Sequence, residues 1–343
     1  TDALVIGAGP VGLWTVFELG LLGVHAQVLD ALDFPGGQCA ELYPDKPLYD
    51  IPGLPRCTGR ELTQILLKQI EPFACGFHLG QLVSRLERQP DGRLLLTSNH
   101  ERQFLTRTLF IAAGVGAFVP RELKLDGLAG FLGQQLFYHH APAQACAGKD
   151  VLVVGGDDAA VASALALASA GPDQAKSITL LHRRDVLQAA PDALARFASL
   201  RDAGHIRFVA GQPTGLQLDG TRLTGLAIST PANELLTLHL DTMLVCLGVS
   251  PKLGPISQWG LAMEKKQVLV NTENFATSEP GIFAVGDINT YPGKKKLIVC
   301  GFHEATLAAF AAAALVYPQQ SGVLQYTTSS ALLQQRLGVL PGQ

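Results

Sequence analysis

The chain has 343 residues, of which 48% are hydrophobic and 16% charged, and its formal net charge is −3. Because charged residues make up about 25% of a typical soluble domain, this chain can bury a large core and is not intrinsically disordered. Its length fits two domains or one large one. The small net charge gives no electrostatic reason to expect binding to nucleic acid or to an anionic membrane.

The first predicted unit is an apolar strand, a glycine-rich turn and a helix. Gly7, Gly9 and Gly12 fit the spacing G-x-G-x-x-G directly after the apolar run ALVI. In this motif the first glycine permits a tight turn, the second lets a pyrophosphate approach the backbone, and the third lets the helix pack closely on the strand. The next apolar run ends at Asp30, near the position of an acid that binds the adenosine ribose. The spacing predicts a dinucleotide-binding β-α-β unit.

The same pattern occurs a second time. Residues 93–96 and 105–113 are predicted strands, and the second leads into a glycine-rich exit at 112–116. Residues 150–160 read DVLVVGGDDAA, and the following helix leads to an apolar run at 178–181. Two β-α-β units in one chain predict an α/β protein with two Rossmann-like, doubly wound domains.

The second glycine motif predicts a site for NADP(H). Two arginines stand at the end of its second strand, where an NAD site would carry an acid, and such a pair suits a doubly charged 2′-phosphate. The alternative is a solvated basic pair on a loop. Asp157 and Asp158 stand beside the expected pyrophosphate and repel it unless they turn away or bind ribose. The predicted NADP-binding residues are Gly155, Gly156, Asp158, His182, Arg183 and Arg184.

The remaining elements follow in order. Runs at 206–210, 215–218, 223–229 and 235–240 alternate with turn residues and predict a small β layer. Strands are expected at 243–248 and at 281–286, the latter followed at once by Asp287. Residues 301–317 form a predicted helix, and a polar tail begins at Ser321.

Cysteine usage and apolar stretches bear on compartment. The longest apolar stretches, 3–17 and 305–317, fall short of the roughly 20 residues that span a membrane. No signal peptide is visible. The cysteines are far apart and no Cys-x-x-Cys occurs, so neither a disulfide scaffold nor a metal site is expected. We therefore predict a cytoplasmic protein with reduced thiols at Cys39, Cys57, Cys75, Cys146, Cys246 and Cys300.

Three segments carry a family resemblance. Residues 36–46 read GGQCAELYPDK, residues 49–53 read YDIPG, and residues 286–305 read GDINTYPGKKKLIVCGFHEA. With the two glycine motifs, they resemble the ferredoxin–NADP⁺ reductases of the thioredoxin-reductase type. The resemblance implies a discontinuous FAD domain, residues 1–113 and 245–343, with an NADP domain, residues 114–244, inserted in it.

The resemblance also implies an FAD site. Asp287 matches the acid that binds the ribitol chain, and Val83 matches a backbone contact to the adenine. Thr328 lies in a C-terminal tail that covers the isoalloxazine in this family, often from the other subunit of a homodimer. The implied FAD-binding residues are Gly7, Gly9, Pro10, Gly12, Asp30, Gly37, Gln38, Tyr43, Val83, Phe118, Gly286, Asp287 and Thr328.

The sequence departs from the family in the nicotinamide half. The thioredoxin reductases carry a dithiol before the second glycine motif, where this chain has Phe137, Tyr138, His139, His140 and a lone Cys146, so a thiol relay is not expected. Five positions differ from the family pattern. The family has glycine, a hydroxyl residue, an acid, an aromatic residue and arginine where this chain has, in that order, Asp157, Ala159, Ala162, Ser163 and Gln188.

The implied function is FAD-dependent electron transfer between NADPH and ferredoxin or flavodoxin, with hydride passing to flavin N5 and electrons leaving singly. No catalytic side chain is required. One alternative is an NADPH-dependent flavin or disulfide reductase. Another is a flavin-binding redox sensor or interaction protein with impaired NADPH turnover.

Three further features have two readings each. The basic run 294–296 docks an acidic ferredoxin or is a solvated turn. His303 and Glu304 tune the flavin or lie on the helix surface. Cys39 and Cys300 lie near the flavin or fill small apolar spaces.

Overall fold

The structure, a computed structural model, describes residues 1–138, 141–169, 171, 174–319 and 324–339. The predicted residues His139 and His140 and the start of the tail at Ser321 lie outside the described residues. The chain divides into two compact units. Unit 1 comprises residues 1–118 and 251–343, and unit 2 comprises residues 119–250.

The strands alternate with helices along much of the chain. In chain order the strands are β1 Ala3–Ile6, β2 Ala26–Leu29, β3 Pro47–Leu48, β4 Cys57–Thr58, β5 Gly76–His78, β6 Val83–Arg88, β7 Leu94–Ser98, β8 Gln103–Thr106, β9 Thr108–Ile111, β10 Ala117–Pro120, β11 Leu136–Tyr138, β12 Asp150–Val154, β13 Ser177–His182, β14 Arg207–Ala210, β15 Gln212–Asp219, β16 Arg222–Ser229, β17 Leu235–His239, β18 Thr242–Val245, β19 Val249–Lys252, β20 Met263–Glu264, β21 Gln267–Leu269, β22 Ile282–Ala284 and β23 Asn289–Thr290. The helices are α1 Pro10–Leu21, α2 Gly37–Glu41, α3 Gly59–Ile70, α4 Ala143–Cys146, α5 Asp158–Ala168, α6 Pro191–Asp202, α7 Ile298–Val316 and α8 Ala331–Arg336.

Unit 1 is built on a five-stranded parallel sheet in the order β22-β9-β1-β2-β5. Successive side chains of a strand point to opposite faces. Ala3 and Val5 of β1 accordingly belong to one core cluster, while Leu4 and Ile6 belong to another. Because helices and loops cover both faces, β1 is apolar at every position. The parallel strands direct their carboxyl ends, and the loops that follow them, to one edge.

Unit 2 repeats this plan with a five-stranded parallel sheet in the order β11-β18-β12-β13-β14. Val151 and Val153 of β12 pack on one face, and Leu152 and Val154 pack on the other. Strands β15, β16 and β17 form a separate antiparallel sheet.

Three sequence predictions about elements need correction. The run 206–210 was expected in the small β layer, but β14 pairs in parallel with β13 at the edge of the main sheet. Residues 105–113 were expected to form one strand, but the chain turns at Arg107, so that β8 joins an antiparallel sheet and β9 the parallel one. Helix α7 begins at Ile298, earlier than the predicted residue 301.

The limits of the units also lie a few residues beyond the predicted limits at 113 and 244. The exit from β9 continues along the cleft of unit 1 as far as Phe118. Cys246 still belongs to unit 2 because its N–H group donates to the carbonyl oxygen of Val154 at 2.7 Å.

Among the described residues, α7 is the one helix that is long and apolar enough to cross a membrane by length and composition alone. Its alanines Ala305, Ala308, Ala309 and Ala312 are fully buried, and Ala308, Ala309 and Ala312 belong to the same core cluster as residues of α1. Helix α7 therefore packs as a core helix of unit 1.

Candidate functional site

A cleft in unit 1 opens at the carboxyl edge of the parallel sheet. It is lined by the turn after β1, the end of β2, the start of α2, the exit from β9 and the turn after β22. These segments are far apart in the sequence. Of the residues predicted to bind FAD, the cleft is lined by Gly7, Gly9, Pro10, Asp30, Gly37, Gln38, Tyr43, Val83, Phe118, Gly286 and Asp287.

The three glycines of the first motif differ in what surrounds them. Gly7 has φ +108°, and a Cβ there would overlap the carbonyl oxygen of Ala112. A Cβ on Gly12 would overlap the carbonyl oxygen of Gly7. At Gly9 a Cβ would meet only the Cα of Gly37, at 3.8 Å. Gly7 and Gly12 are therefore required by the protein's own packing, whereas the space beside Gly9 is left open for a ligand.

Helix α1 begins in this open space. Gly9 is its N-cap residue and has no side chain to accept the first N–H groups. These donors and the positive end of the helix dipole favour an anion such as a pyrophosphate. The geometry therefore suits a dinucleotide.

Asp30 ends β2 and fixes the glycine turn. Its Oδ2 accepts the N–H of Ala8 at 2.6 Å, and its Oδ1 accepts the N–H of Leu32 at 2.8 Å. Burial raises the pKa of Asp30, although these backbone donors act in the opposite direction. Each carboxylate oxygen can accept more than one hydrogen bond, so Asp30 can also accept a ribose hydroxyl.

The opposite wall of the cleft carries two further polar groups. The Asp287 Oδ2 accepts a hydrogen bond from Gln38 Nε2 at 3.2 Å, which joins the turn after β22 to the start of α2. Trp259 also lines the cleft, and its indole Nε1 is buried without a hydrogen-bond partner among the described residues. The residues of this cleft fit FAD.

A buried ion pair supports the turn at Gly286. The Glu304 side chain is fully buried, and the Lys294 side chain is 7% exposed. Glu304 Oε2 accepts the N–H of Gly286 at 2.7 Å, and the Lys294 ammonium donates to the Gly286 carbonyl at 2.8 Å and to Glu304 Oε1. Asn289 and Tyr291 also donate to Glu304, both within 2.9 Å. Both backbone polar groups of Gly286, beside the predicted ribitol-binding acid, are thus held by this pair.

This arrangement corrects the prediction that the whole basic run 294–296 is available to dock a ferredoxin. Lys294 is buried and paired, so it is not available to dock a partner. Lys295 and Lys296 are exposed. On α7, His303 lies at the surface while Glu304 points into the core.

Unit 2 presents the second glycine motif at the carboxyl end of β12. A Cβ on Gly155 would overlap the Cys246 carbonyl oxygen, and a Cβ on Gly156 would overlap the ring of His182. Burial, with added repulsion from the two neighbouring arginines, lowers the pKa of His182. Arg183 and Arg184 are exposed and form no ion pair among the described residues. Two unpaired guanidinium groups therefore stand at the end of β13.

Both aspartates of the second motif have partners. Asp157 caps α5, and its Oδ1 accepts the N–H of Ala160 at 3.1 Å. Asp158 Oδ1 accepts the N–H of Ala190 at 2.7 Å. Asp158 has thus turned away from the helix start, but Asp157 has not. The motif fits NADP(H) at its arginines and fits it less well at the pyrophosphate position.

The tail and the cysteines add two facts. Arg336 of α8 donates to the Leu21 carbonyl at the end of α1, and the exposed Thr328 does not line the cleft of its own chain. All six cysteines are free in the described structure.

Comparison with known proteins gives a consistent result. The family model of pyridine nucleotide-disulphide oxidoreductases matches residues 1–308. A ferredoxin–NADP reductase of Paracidovorax citrulli is 56% identical over 345 aligned positions, which cover 98% of this chain and 96% of that protein. One of a Polaromonas species is 54% identical over 339 positions, covering 99% and 93%.

Solved structures support the fold. A thioredoxin reductase of Lactococcus lactis is 22% identical with a TM-score of 0.55, covering 92% of this chain and 99% of that one. A bacillithiol disulfide reductase of Staphylococcus aureus is 16% identical with a TM-score of 0.58, covering 93% and 99%. At these identities the likeness concerns the fold alone.

Proposed function

Because this chain belongs to the ferredoxin–NADP reductase family, we propose that it passes electrons between NADP(H) and a ferredoxin through bound FAD. The predicted family, α/β fold class, oxidoreductase activity and cofactors FAD and NADP(H) are confirmed by the comparisons. The roles of individual residues and of the domains remain proposals.

One observation supports the FAD site above the others. Gly9, Gln38 and Asp287 come from three separate stretches of the chain and line one cleft in unit 1. The pyrophosphate of FAD binds at the start of α1, its adenosine ribose at Asp30, and its ribitol chain at Asp287. Unit 1 is accordingly the FAD domain and unit 2 the NADP domain.

The residues of the cleft bind and orient rather than transfer protons. FAD, when bound, supplies the chemistry that links two-electron exchange with a nicotinamide to one-electron exchange with an iron–sulfur protein. The Asp287 carboxylate accepts hydrogen bonds from Gln38 and from the cofactor chain, and the apolar walls exclude water. No side chain of the cleft is needed as a general acid or nucleophile.

The two exposed arginines of unit 2 are the proposed recognition site for the 2′-phosphate of NADP(H). Removing both by Arg183→Ala and Arg184→Ala is expected to weaken NADPH binding at least roughly tenfold, since each guanidinium is a charge-assisted donor. NADH lacks that phosphate and its affinity should not change. Titration of the FAD-loaded variant with both nucleotides measures the difference, and equal losses for NADPH and NADH would exclude this role.

The direct test of the function is anaerobic reduction of the FAD-loaded protein by NADPH, followed by addition of oxidised ferredoxin. Loss and then return of the visible flavin absorption supports the proposal. Reduction without return on ferredoxin, but with return on flavodoxin or on a disulfide, would assign a different acceptor. Absence of any reduction by NADPH would contradict the proposal.

The tail leads to a proposal about assembly. The residues of segment 324–339 pack at the C-terminal end of α1, whereas the cleft lies at its start, and a helix of 12 residues is roughly 18 Å long. Thr328 therefore reaches a flavin only in a second copy of the chain, and we expect a homodimer. Sedimentation analysis of the FAD-loaded protein tests this, and a monomer at micromolar concentration would contradict it. The free cysteines support a cytoplasmic location.

A further inference from the structure

The N-terminus of α5 in unit 2 can be compared with that of α1 in unit 1. Gly9 caps α1 with φ −72° and ψ 177°, and Asp157 caps α5 with φ −99° and ψ −176°. Both residues are extended, and both stand two positions after the first glycine of their motif. Asp157 thus occupies in unit 2 the place that Gly9 holds in unit 1.

The side chains at these two places differ in charge. Beside Gly9 the space is open, and no side chain accepts the first N–H groups of α1. In α5, the Asp157 carboxylate accepts the N–H of Ala160 and lies where the helix dipole is most positive. The Asp157 carboxylate therefore occupies the position where a pyrophosphate would bind.

Among the residues that the structure describes, no cation forms an ion pair with this carboxylate. The described ion pairs do not include Asp157. Its Oδ2 lies 3.8 Å from a Cβ built on Gly248, on the loop after β18. Burial and the nearby arginines lower the pKa of His182, although Asp157 acts in the opposite direction. A pyrophosphate approaching α5 therefore meets the Asp157 carboxylate.

We propose that Asp157 weakens binding of the pyrophosphate common to NADH and NADPH and so lowers the affinity of unit 2 for both nucleotides. Binding then depends on the 2′-phosphate, which only NADPH and NADP⁺ carry to the arginines at the end of β13. Because the penalty at Asp157 is the same for the two nucleotides, the ratio of their affinities is set by those arginines. This inference rests on the proposed function, because it concerns the NADP(H) site of the same enzyme.

Two substitutions separate charge from capping. Asp157→Gly restores the residue type found at Gly9, and Asp157→Asn keeps an oxygen that can cap α5 while removing the charge. Glycine and asparagine are both acceptable at a helix N-cap, so little loss of thermal stability is expected. Asp192→Asn, at an exposed position in the first turn of α6, is the matched control for a change of one charge in unit 2.

The experiment is calorimetric titration of the FAD-loaded proteins with NADPH, NADP⁺ and NADH. Asp157→Gly and Asp157→Asn are expected to tighten binding of all three by a similar factor, roughly tenfold, because a repulsion gives way to charge-assisted hydrogen bonds. Asp192→Asn should change the affinities by less than roughly twofold. Unchanged or weakened binding in both Asp157 variants would overturn the inference.

The outcomes for the inference and for the proposed function are distinct. If NADPH reduces the wild-type flavin and the Asp157 variants bind no better, the function stands and the inference fails. If NADPH reduces neither the wild type nor the variants, the proposed function fails. Tighter binding by the variants without flavin reduction would support the inference and contradict the function.

Discussion

Replacing Glu304 by glutamine should destabilise unit 1 strongly because four donors converge on this carboxylate. The Gly286 N–H and the Asn289 amide donate to Oε2, while the Tyr291 hydroxyl and the Lys294 ammonium donate to Oε1. Glutamine offers only one acceptor oxygen, so two donors lose their partner. The Lys294 charge also remains in a buried place. Removing one partner of a buried ion pair costs about 3–5 kcal/mol, and we expect a loss in that range.

Lys294 and Glu304 should also show energetic coupling when both are replaced. Lys294→Met leaves the carboxylate buried with three of its four donors and should cost less than Glu304→Gln. Since the double variant has no uncompensated charge, it should be more stable than the sum of the single losses predicts, by about 1–3 kcal/mol.

Urea unfolding of the FAD-loaded proteins, followed by far-ultraviolet circular dichroism, measures these energies. Lys295→Met is the matched control because Lys295 is exposed, and it should change stability by less than about 0.5 kcal/mol. Visible circular dichroism of the flavin adds an independent readout, since the network holds Gly286 beside the proposed ribitol site. Single losses below about 1 kcal/mol, or strictly additive losses, would refute the reasoning.

Gly9→Ala should weaken FAD binding at least roughly tenfold with little change in the stability of the FAD-free protein. Gly12→Ala places a Cβ against the Gly7 carbonyl oxygen and should destabilise the fold by about 1–3 kcal/mol. Fluorescence titration measures the FAD affinity and urea unfolding the stability, and an intact FAD affinity in Gly9→Ala would exclude a role for Gly9 in binding. The pKa of His182 is lowered in the folded state, chiefly by burial. The stability that wild type holds relative to His182→Gln is therefore present above pH 6.5 and should be lost as the pH falls below 6.5 and through the lowered folded-state pKa. Urea unfolding at a series of pH values measures this, and a difference that is constant with pH would contradict it. Burial raises the pKa of Cys75 to about 12. Iodoacetamide should therefore leave this thiol unmodified in the native protein at about pH 8, because the thiolate is the reactive form. Alkylation of Cys75, detected by mass spectrometry, would contradict this prediction.

The first glycine motif could be predicted well because its signature is local. Gly7, Gly9 and Gly12 lie within one turn, and Asp30 ends the strand that follows the helix. The cleft then unites Gly7, Gly9 and Asp30 with Gln38 and Asp287, which the family resemblance had indicated. Short-range spacing and a family pattern were sufficient here because the parallel sheet brings the ends of its strands to one edge.

Other features depend on tertiary contacts that spacing does not encode. Lys294 looked like part of an exposed basic run, and only the packing of α7 against the turn at Gly286 brings Glu304 to it. The run 206–210 has the alternation of a strand, but alternation does not say which sheet a strand joins. The buried and unpartnered indole N–H of Trp259 had no sequence signal apart from the presence of tryptophan.

The role of Asp157 could be predicted from the sequence only in part. The sequence predicted a conflict between this carboxylate and a pyrophosphate. Whether the side chain would turn away depended on the helix, and the structure has it capping α5 through Ala160 while Asp158 binds the backbone of a neighbouring loop. At the start of α5, the Asp157 carboxylate and a nucleotide pyrophosphate would therefore compete for the same helix N–H groups.

We propose that electrons pass from NADPH to ferredoxin through FAD bound in unit 1. The most direct measurement is a stopped-flow experiment in which the FAD-loaded protein is mixed anaerobically with NADPH or NADH and then with oxidised ferredoxin. We expect rapid loss of the visible flavin band with NADPH, much slower loss with NADH, and return of the band as ferredoxin is reduced. Equal rates with the two nucleotides, or a reduced flavin that does not react with ferredoxin, would contradict it.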